Sequence, residues 1–418
     1  MKKSKPKLLY FANYYKPDKS AMARLMTDLS EGLADDFDIT VITSVPSYAG
    51  KIEDKYKTER FYYEDTEKLH IIRIRVSEND KSNKIKRIRH ITDYFFGAIK
   101  TVRKLGKFDL VYATTAPPIL GGLLGRIGKR ITKGKYLYAI QDFNPEQIEA
   151  VSYSKNKLVV GILRRIDHKT CKQADGLVII GRDMQETLDK RFPCGSVMGH
   201  YIHNWVDEDE MFPLKASDPQ VEAFKRKHGI DGKYVFMYLG NLGLYYDLLE
   251  FEKIAGKFKG NQDVSFVFVG TGAVEKQMKE YAEAYNLTNI NFVPYVSGND
   301  LLCAMNAADV HIVTNAKGIK GVSVPSKIYG IMAVNKPVIG ILEPDSEVWN
   351  VIKESDIGIC CETGNYGQIE DGIRYVIENT KLFLQKGNKS REALFSKYSK
   401  EDSILKYKKL FNELLENN

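Results

Sequence analysis

Cysteine is scarce in this chain, and long apolar runs are missing. Only five cysteines occur in 418 residues, at Cys171, Cys194, Cys303, Cys360 and Cys361. An odd number with no CxxC pair argues against a disulfide framework and a zinc site, and it fits a reducing cytoplasm. No stretch reaches the ~18 consecutive apolar residues that a membrane-spanning helix requires. The Lys-rich opening from Met1 to Lys7 runs straight into the strand-like Lys7–Asn13 without an apolar leader core, so neither secretion nor membrane insertion is expected. With 43 % hydrophobic and 28 % charged residues the chain reads as folded, and 418 residues exceed what one core holds, so two domains are expected.

What is present is a long alternation of short β-branched or aromatic runs with helical patterns, the signature of parallel sheet with helical crossovers. Strands are predicted at Lys7–Asn13, Ile39–Ser44, Leu69–Val76, Leu110–Thr114, Tyr136–Gln141 and Gly176–Ile180. A second series follows at Tyr234–Leu239, Val264–Val269, Ile290–Val293, Val310–Val313 and Pro337–Ile341. Between the two lies His203–Asp218, polar, acidic and without periodicity. The fold class is α/β, with two doubly wound domains facing one another and a ligand expected at the strand carboxyl ends.

Charge divides along the same line. Residues 1–200 carry 37 Lys and Arg against 24 Asp and Glu, a net +13, while residues 201–418 are net −5. The basic half should meet an anionic partner. Much of the excess falls in Lys81–Lys107, which surrounds the aromatic cluster Tyr94-Phe95-Phe96. Such a helix suits an anionic membrane interface, and it equally suits an ordinary helix with its aromatics in the core. No recognition motif supports nucleic acid.

Three turns in the second series could approach a phosphate. Tyr234–Leu239 runs into Gly240-Asn241-Leu242-Gly243, whose glycines let backbone amides close on an anion. Gly270-Thr271-Gly272 reads more simply as a chain reversal. In Lys320-Gly321-Val322-Ser323-Val324-Pro325-Ser326-Lys327, proline near a helix start leaves the amides of Ser326 and Lys327 facing outward, beside a positive dipole end and a mobile ammonium.

The ordered set Tyr10–Pro17, Gln141–Glu146, His203–Asp207, Gly240–Gly243, Phe292–Val296 and Pro325–Tyr329, followed by Met332-Ala333 and Lys336–Ile339, resembles the family 4 glycosyltransferases. The likeness is greatest to the bacterial O-antigen and capsule branch that transfers amino sugars such as N-acetylfucosamine. The resemblance implies a GT-B fold of two Rossmann-like domains: 1–203 for the acceptor, 204–395 for a nucleotide-sugar, and a helix in 396–418 packing back on the first. It implies transfer with retention, without metal or cofactor, from a donor that is most often UDP-linked. The acceptor would be a polyprenyl-diphosphate-linked or other glycan in surface polysaccharide synthesis, at the inner membrane face. Carried over, the base lies against Val293, Pro294 and Tyr295, and the diphosphate meets Ser326 and Lys327 beside Pro325 and Tyr329, with Gly240, Asn241 and Gly243 opposite. Asp142 and Lys327 become the catalytic pair, and Tyr14, Tyr15, Ser20 and Arg24 meet the acceptor.

The departures also carry information. The family's two glutamates, with seven residues between them, fall on Val322 and Gly330, and its Arg and Lys after the glycine turn fall within Leu244-Tyr245-Tyr246-Asp247. A second reading, a catalytically silent relative serving as a subunit of another transferase, rests on those losses.

Overall fold

The computed structural model describes residues 4–48, 50–78, 83–150 and 157–416. Eight strands form the first sheet: β1 Lys7–Ala12, β2 Asp38–Ser44, β3 Phe61–Asp65, β4 Leu69–Ile74, β5 Leu110–Thr114, β6 Lys135–Ile140, β7 Gly176–Ile179 and β8 His200–Tyr201. Six form the second: β9 Tyr234–Leu239, β10 Val264–Val269, β11 Ile290–Val293, β12 Val310–Thr314, β13 Val338–Leu342 and β14 Gly358–Glu362. The orders are β3-β4-β2-β1-β5-β6-β7-β8 and β11-β10-β9-β12-β13-β14, and β3 with β4 is the antiparallel pair. Strands of a parallel sheet covered on both faces read as unbroken apolar runs. Val264–Val269 is accordingly buried at all six positions, and Leu110–Thr114 and Val310–Thr314 at all five.

Three strands escape the sequence reading, each at or near a sheet edge. Phe61–Asp65 is half-exposed along its length, His200–Tyr201 is too short for periodicity, and Gly358–Glu362 mixes glycine, two cysteines and a glutamate.

In each sheet the strand order reverses once, between β1 and β5 and between β9 and β12. Open α/β sheets bind ligands outside such switch points, which here means the loop after Ala12 and the turn after Leu239. The carboxyl ends of the two sheets meet: Asp142, just after β6, forms an isolated antiparallel bridge with Ser323, after β12. The architecture is the GT-B arrangement of two Rossmann-like domains.

The chain passes between the sheets twice, and the crossings are tied together. The Nζ of Lys400 lies 2.6 Å from Asp207, and Ser403 donates to the carbonyl of His203 at 3.0 Å. The helix Lys400–Glu416 then packs on the first domain, with Phe411 5.7 Å from Phe37 and Tyr407 5.9 Å from Tyr112, ring to ring.

The basic segment forms the helix Lys84–Leu105, opened by the Asn83 side chain, which accepts from the amides of Ile85 and Lys86. Lys81 lies outside the described residues. The aromatic cluster divides: Tyr94 and Phe95 are buried, Tyr94 donating to the Ile42 carbonyl at 3.1 Å, while Phe96 is 62 % exposed. Ile85 and Ile88, 79 % and 62 % exposed, join Phe96 on the outer face. Among the described residues no helix is long and apolar enough to cross a membrane.

Candidate functional site

The turn after β9 is built on glycine because backbones collide there otherwise. Gly240 adopts φ +147, and its amide bonds the Val269 carbonyl at 2.9 Å. A Cβ on Gly270 would lie 2.0 Å from the Gly240 oxygen, and one on Gly272 2.2 Å from the Leu242 oxygen. The Gly270–Gly272 turn is thus a platform under Gly240–Gly243. Its amide at Gly270 bonds the Val293 carbonyl at 2.9 Å, so the row Gly240, Gly270, Val293 runs side by side along the sheet edge.

Lys327 reaches into this row. Its Nζ sits 3.7 Å from the centroid of Tyr238 and 4.8 Å from that of Tyr246, and a Cβ on Gly240 would come within 3.1 Å of it. The ammonium is buried and, among the described residues, has no hydrogen-bond partner. It is therefore fixed between two rings, not mobile as the sequence suggested. Each ring face attracts a desolvated cation by up to ~2 kcal/mol, yet none of its three N–H donors is satisfied. Burial pushes its pKa down to about 7. An arriving anion would satisfy the donors and restore the charge.

The helix behind it is Lys327–Ala333; Ser326 is its N-cap, without a side-chain capping bond, and Pro325 lies just before the cap. Tyr329 is a correction. It is 0 % exposed, with its ring 5.7 Å from His203 and 5.9 Å from Tyr398, so it packs at the chain crossings and cannot meet a donor. Asn241, Pro294 and Tyr295 are exposed along the edge, and the Tyr295 hydroxyl lies 3.4 Å from the Lys19 carbonyl of the first domain. Of the positions holding the family's glutamates, Val322 is buried, whereas a Cβ on Gly330 would meet only the Met305 methyl at an ordinary 3.6 Å.

Asp142 stands between the domains. Besides the bridge to Ser323, its carboxylate accepts from Gln147 Nε2 at 3.1 Å. Burial raises its pKa, opposed by hydrogen bonds from Ser323 and Gln147. Its charge also reaches Tyr246, whose hydroxyl is pushed up to about 12, by burial first and by Asp142 second. The Asn144 side chain donates to the Asp142 carbonyl, at 3.5 Å, and not to the carboxylate.

Two acceptor-side expectations are corrected, and a third residue is drawn into an exposed ion pair. Tyr15 is 1 % exposed and shares a 2.7 Å hydrogen bond with Ser30, which makes it a core residue. Ser20 accepts from the Ala23 amide at 3.1 Å as the N-cap of Ala21–Leu33. Arg24 pairs with Glu210 of the linker at 3.0 Å. Tyr14 does remain at the edge, half-buried, its ring 6.1 Å from His90 and 5.4 Å from Tyr48. Sequence reasoning missed Tyr238, Tyr246 and Ser323; the signal available was Tyr245-Tyr246 standing where relatives carry cations. Among the described residues no group of three His, Cys, Asp or Glu side chains could hold a metal ion.

Comparison with known proteins agrees with this fold. Residues 220–393 match the family described as Glycosyl transferases group 1. WbjE of Pseudomonas aeruginosa, named as a glycosyltransferase, is 28 % identical over 336 residues, 78 % of this chain and 80 % of its own. WcaI of Escherichia coli K12, whose name places it in colanic acid biosynthesis as a glycosyl transferase, is 21 % identical over 89 % of this chain and 92 % of its own. Among solved structures, Alr3699/HepE of Anabaena, in complex with UDP and glucose, superposes with a TM-score of 0.70 at 12 % identity, over 98 % of this chain and 100 % of its own. The chain is a glycosyltransferase.

Proposed function

We propose that the chain transfers a sugar, with retention, from a UDP-sugar held along Gly240, Val293 and Ser326–Lys327 to a lipid-linked glycan acceptor in bacterial surface polysaccharide synthesis. The observation that carries this reading is the buried, unpartnered Lys327 ammonium at the switch point of the second sheet. When the bond from the anomeric carbon to the diphosphate breaks, negative charge collects on the departing oxygens. A cation already fixed in a water-poor cradle stabilises that charge without reorganising. Asp142 would face the reacting sugar from the first domain. The UDP complex of HepE and the polysaccharide context in the name of WcaI support the donor and the pathway class. Calorimetry with UDP, followed by a product assay with EDTA present, tests the reading: tight UDP binding and metal-independent transfer are expected. Binding without transfer would favour the silent relative, for which Val322 and Gly330 at the glutamate positions speak.

The acceptor's lipid places the protein at the inner membrane face. Ile85, Ile88 and Phe96 project from a helix whose exposed residues include Lys86, Arg87, Arg89 and Lys100. Each basic residue near an anionic surface contributes ~1 kcal/mol. Changing Lys86, Arg87 and Arg89 to Glu should release the protein from vesicles of anionic lipid near physiological salt while sparing transfer to a short water-soluble acceptor. Tyr94 and Phe95, being core residues, add no anchor, so any binding that survives rests on Ile85, Ile88 and Phe96. Failure of the unaltered chain to sediment with such vesicles would refute the membrane reading.

A further inference from the structure

Four consecutive residues just before the Lys327 helix are each held by the opposite domain. Lys320 Nζ lies 3.3 Å from Glu186. The Gly321 amide donates to Asp183 Oδ2 at 3.0 Å, and the Gly321 carbonyl accepts from Thr187 Oγ1 at 2.7 Å, both bonds buried. The Val322 carbonyl accepts from the Phe143 amide at 2.9 Å, and Ser323 bridges Asp142. Gly321 has φ +71, and a Cβ on it would stand 2.8 Å from the Asp183 carbonyl, so glycine is required by conformation and by space. Beside this grip, Glu347, 1 % exposed, takes hydrogen bonds from the Arg182 amide at 2.7 Å and the Tyr201 hydroxyl at 2.8 Å. Only Val324, Pro325 and Ser326 then separate the gripped segment from Lys327.

We infer that Asp183 and Thr187 are positioning residues for sugar transfer: acting through Gly321, they clamp the strap 320–323 that leads into the Lys327 helix, and so hold the first domain closed over the donor site. The inference rests on the reading of Lys327 as the diphosphate ligand, and it adds that a donor is bound by the closed pair of domains, not by the second domain alone. Neither side chain has to touch the donor. Burial pushes the Asp183 carboxyl up to about 6, opposed by the backbone amides of Gly321 and Glu347, so the carboxylate is held at this interface at a cost that those two bonds to the second domain offset in part.

The test combines Thr187→Val with Asp183→Ala in the full chain, using UDP as the probe. Calorimetry should show UDP binding weakened about tenfold or more, with the donor KM raised and the acceptor KM unchanged, while Thr187→Ser should bind within about twofold of the unaltered chain. Small-angle scattering without ligand should show a larger radius of gyration for the double variant. Hydrogen exchange of the unaltered chain should show the Gly321 amide protected in the absence of UDP. Unchanged UDP affinity and scattering in a folded double variant would overturn the inference, as would rapid exchange at Gly321. Should the double variant fail to fold, the exchange result and the Thr187→Val affinity decide. An unaltered chain that binds no UDP would instead refute the donor reading, and exchange and scattering would still judge the clamp.

Discussion

The two switch-point edges of this protein are built from different materials. The edge after β9 is backbone: glycine turns stacked at contact distance, with one lysine set among them. The edge after β1 is side chain: Tyr14 against His90 and Tyr48, and Asp18 accepting from the amides of Ser47 and Tyr48 at 3.1 and 3.0 Å. A backbone site leaves its mark in glycine and proline spacing, because few residues can adopt those conformations. A side-chain site leaves little, since tyrosine, serine and arginine serve cores, caps and ion pairs equally well. Tyr15, Ser20 and Arg24 show each of those fates.

The largest effect expected falls on the backbone edge. Lys327→Ala should cut transfer by about two orders of magnitude, the ~2.7–4 kcal/mol range for losing one charge-stabilising group. The variant should melt no lower than the parent, because it removes a buried unpaired ammonium. Near-full turnover at saturating donor would break the contrast between the edges.

Next in size is a pH effect at the same atom. With its pKa held at about 7 in the free protein, Lys327 is largely neutral at pH 8 and is recharged when a diphosphate arrives. UDP binding should therefore take up a proton above pH 7 and weaken by up to about tenfold per unit as pH rises toward the ordinary lysine value of ~10.4. Calorimetry in buffers of different ionisation enthalpy measures this, and Lys327→Met should abolish it. For folding the sign is opposite. Between pH 7 and ~10.4 the unfolded chain binds the proton that the native chain has lost, so this residue's contribution to stability rises with pH across that window.

Asp142→Asn should lower turnover about tenfold or more while changing UDP affinity much less, because the amide keeps the shape that meets Ser323 and Gln147 and loses only the charge. A matching fall in UDP affinity would assign Asp142 to the donor edge. The smallest effect separates structure from function on the other edge. Ser20→Ala should cost ~1 kcal/mol of stability, as for any lost N-cap, with the acceptor KM unmoved.

The same contrast explains how far the sequence could be read. Tyr234–Leu239 and Val264–Val269 coincide with β9 and β10 to the residue, because strands covered on both faces are apolar runs with polar ends. The edge strand Phe61–Asp65 has one face in water and no such signature. Tyr329 shows a different limit. Its helix was legible, but Ile328, Tyr329, Ile331, Met332 and Ala333 are all buried, so no polar face reveals which way the ring turns. Tyr238 and Tyr246 were unreadable as a cradle because they come from a strand and a short turn that only the fold brings onto Lys327.

The returning helix Lys400–Glu416 bears on how the protein is made. Tyr407, Leu410, Phe411 and Leu414 complete a core whose other members include Leu8, Tyr10, Phe37 and Tyr112. Synthesis in the N- to C-terminal direction therefore releases a first domain that lacks part of its interior throughout the synthesis of the second. The half of the protein that is translated first is the half that finishes folding last, and a premature stop before residue 400 would leave its aromatic floor open to water.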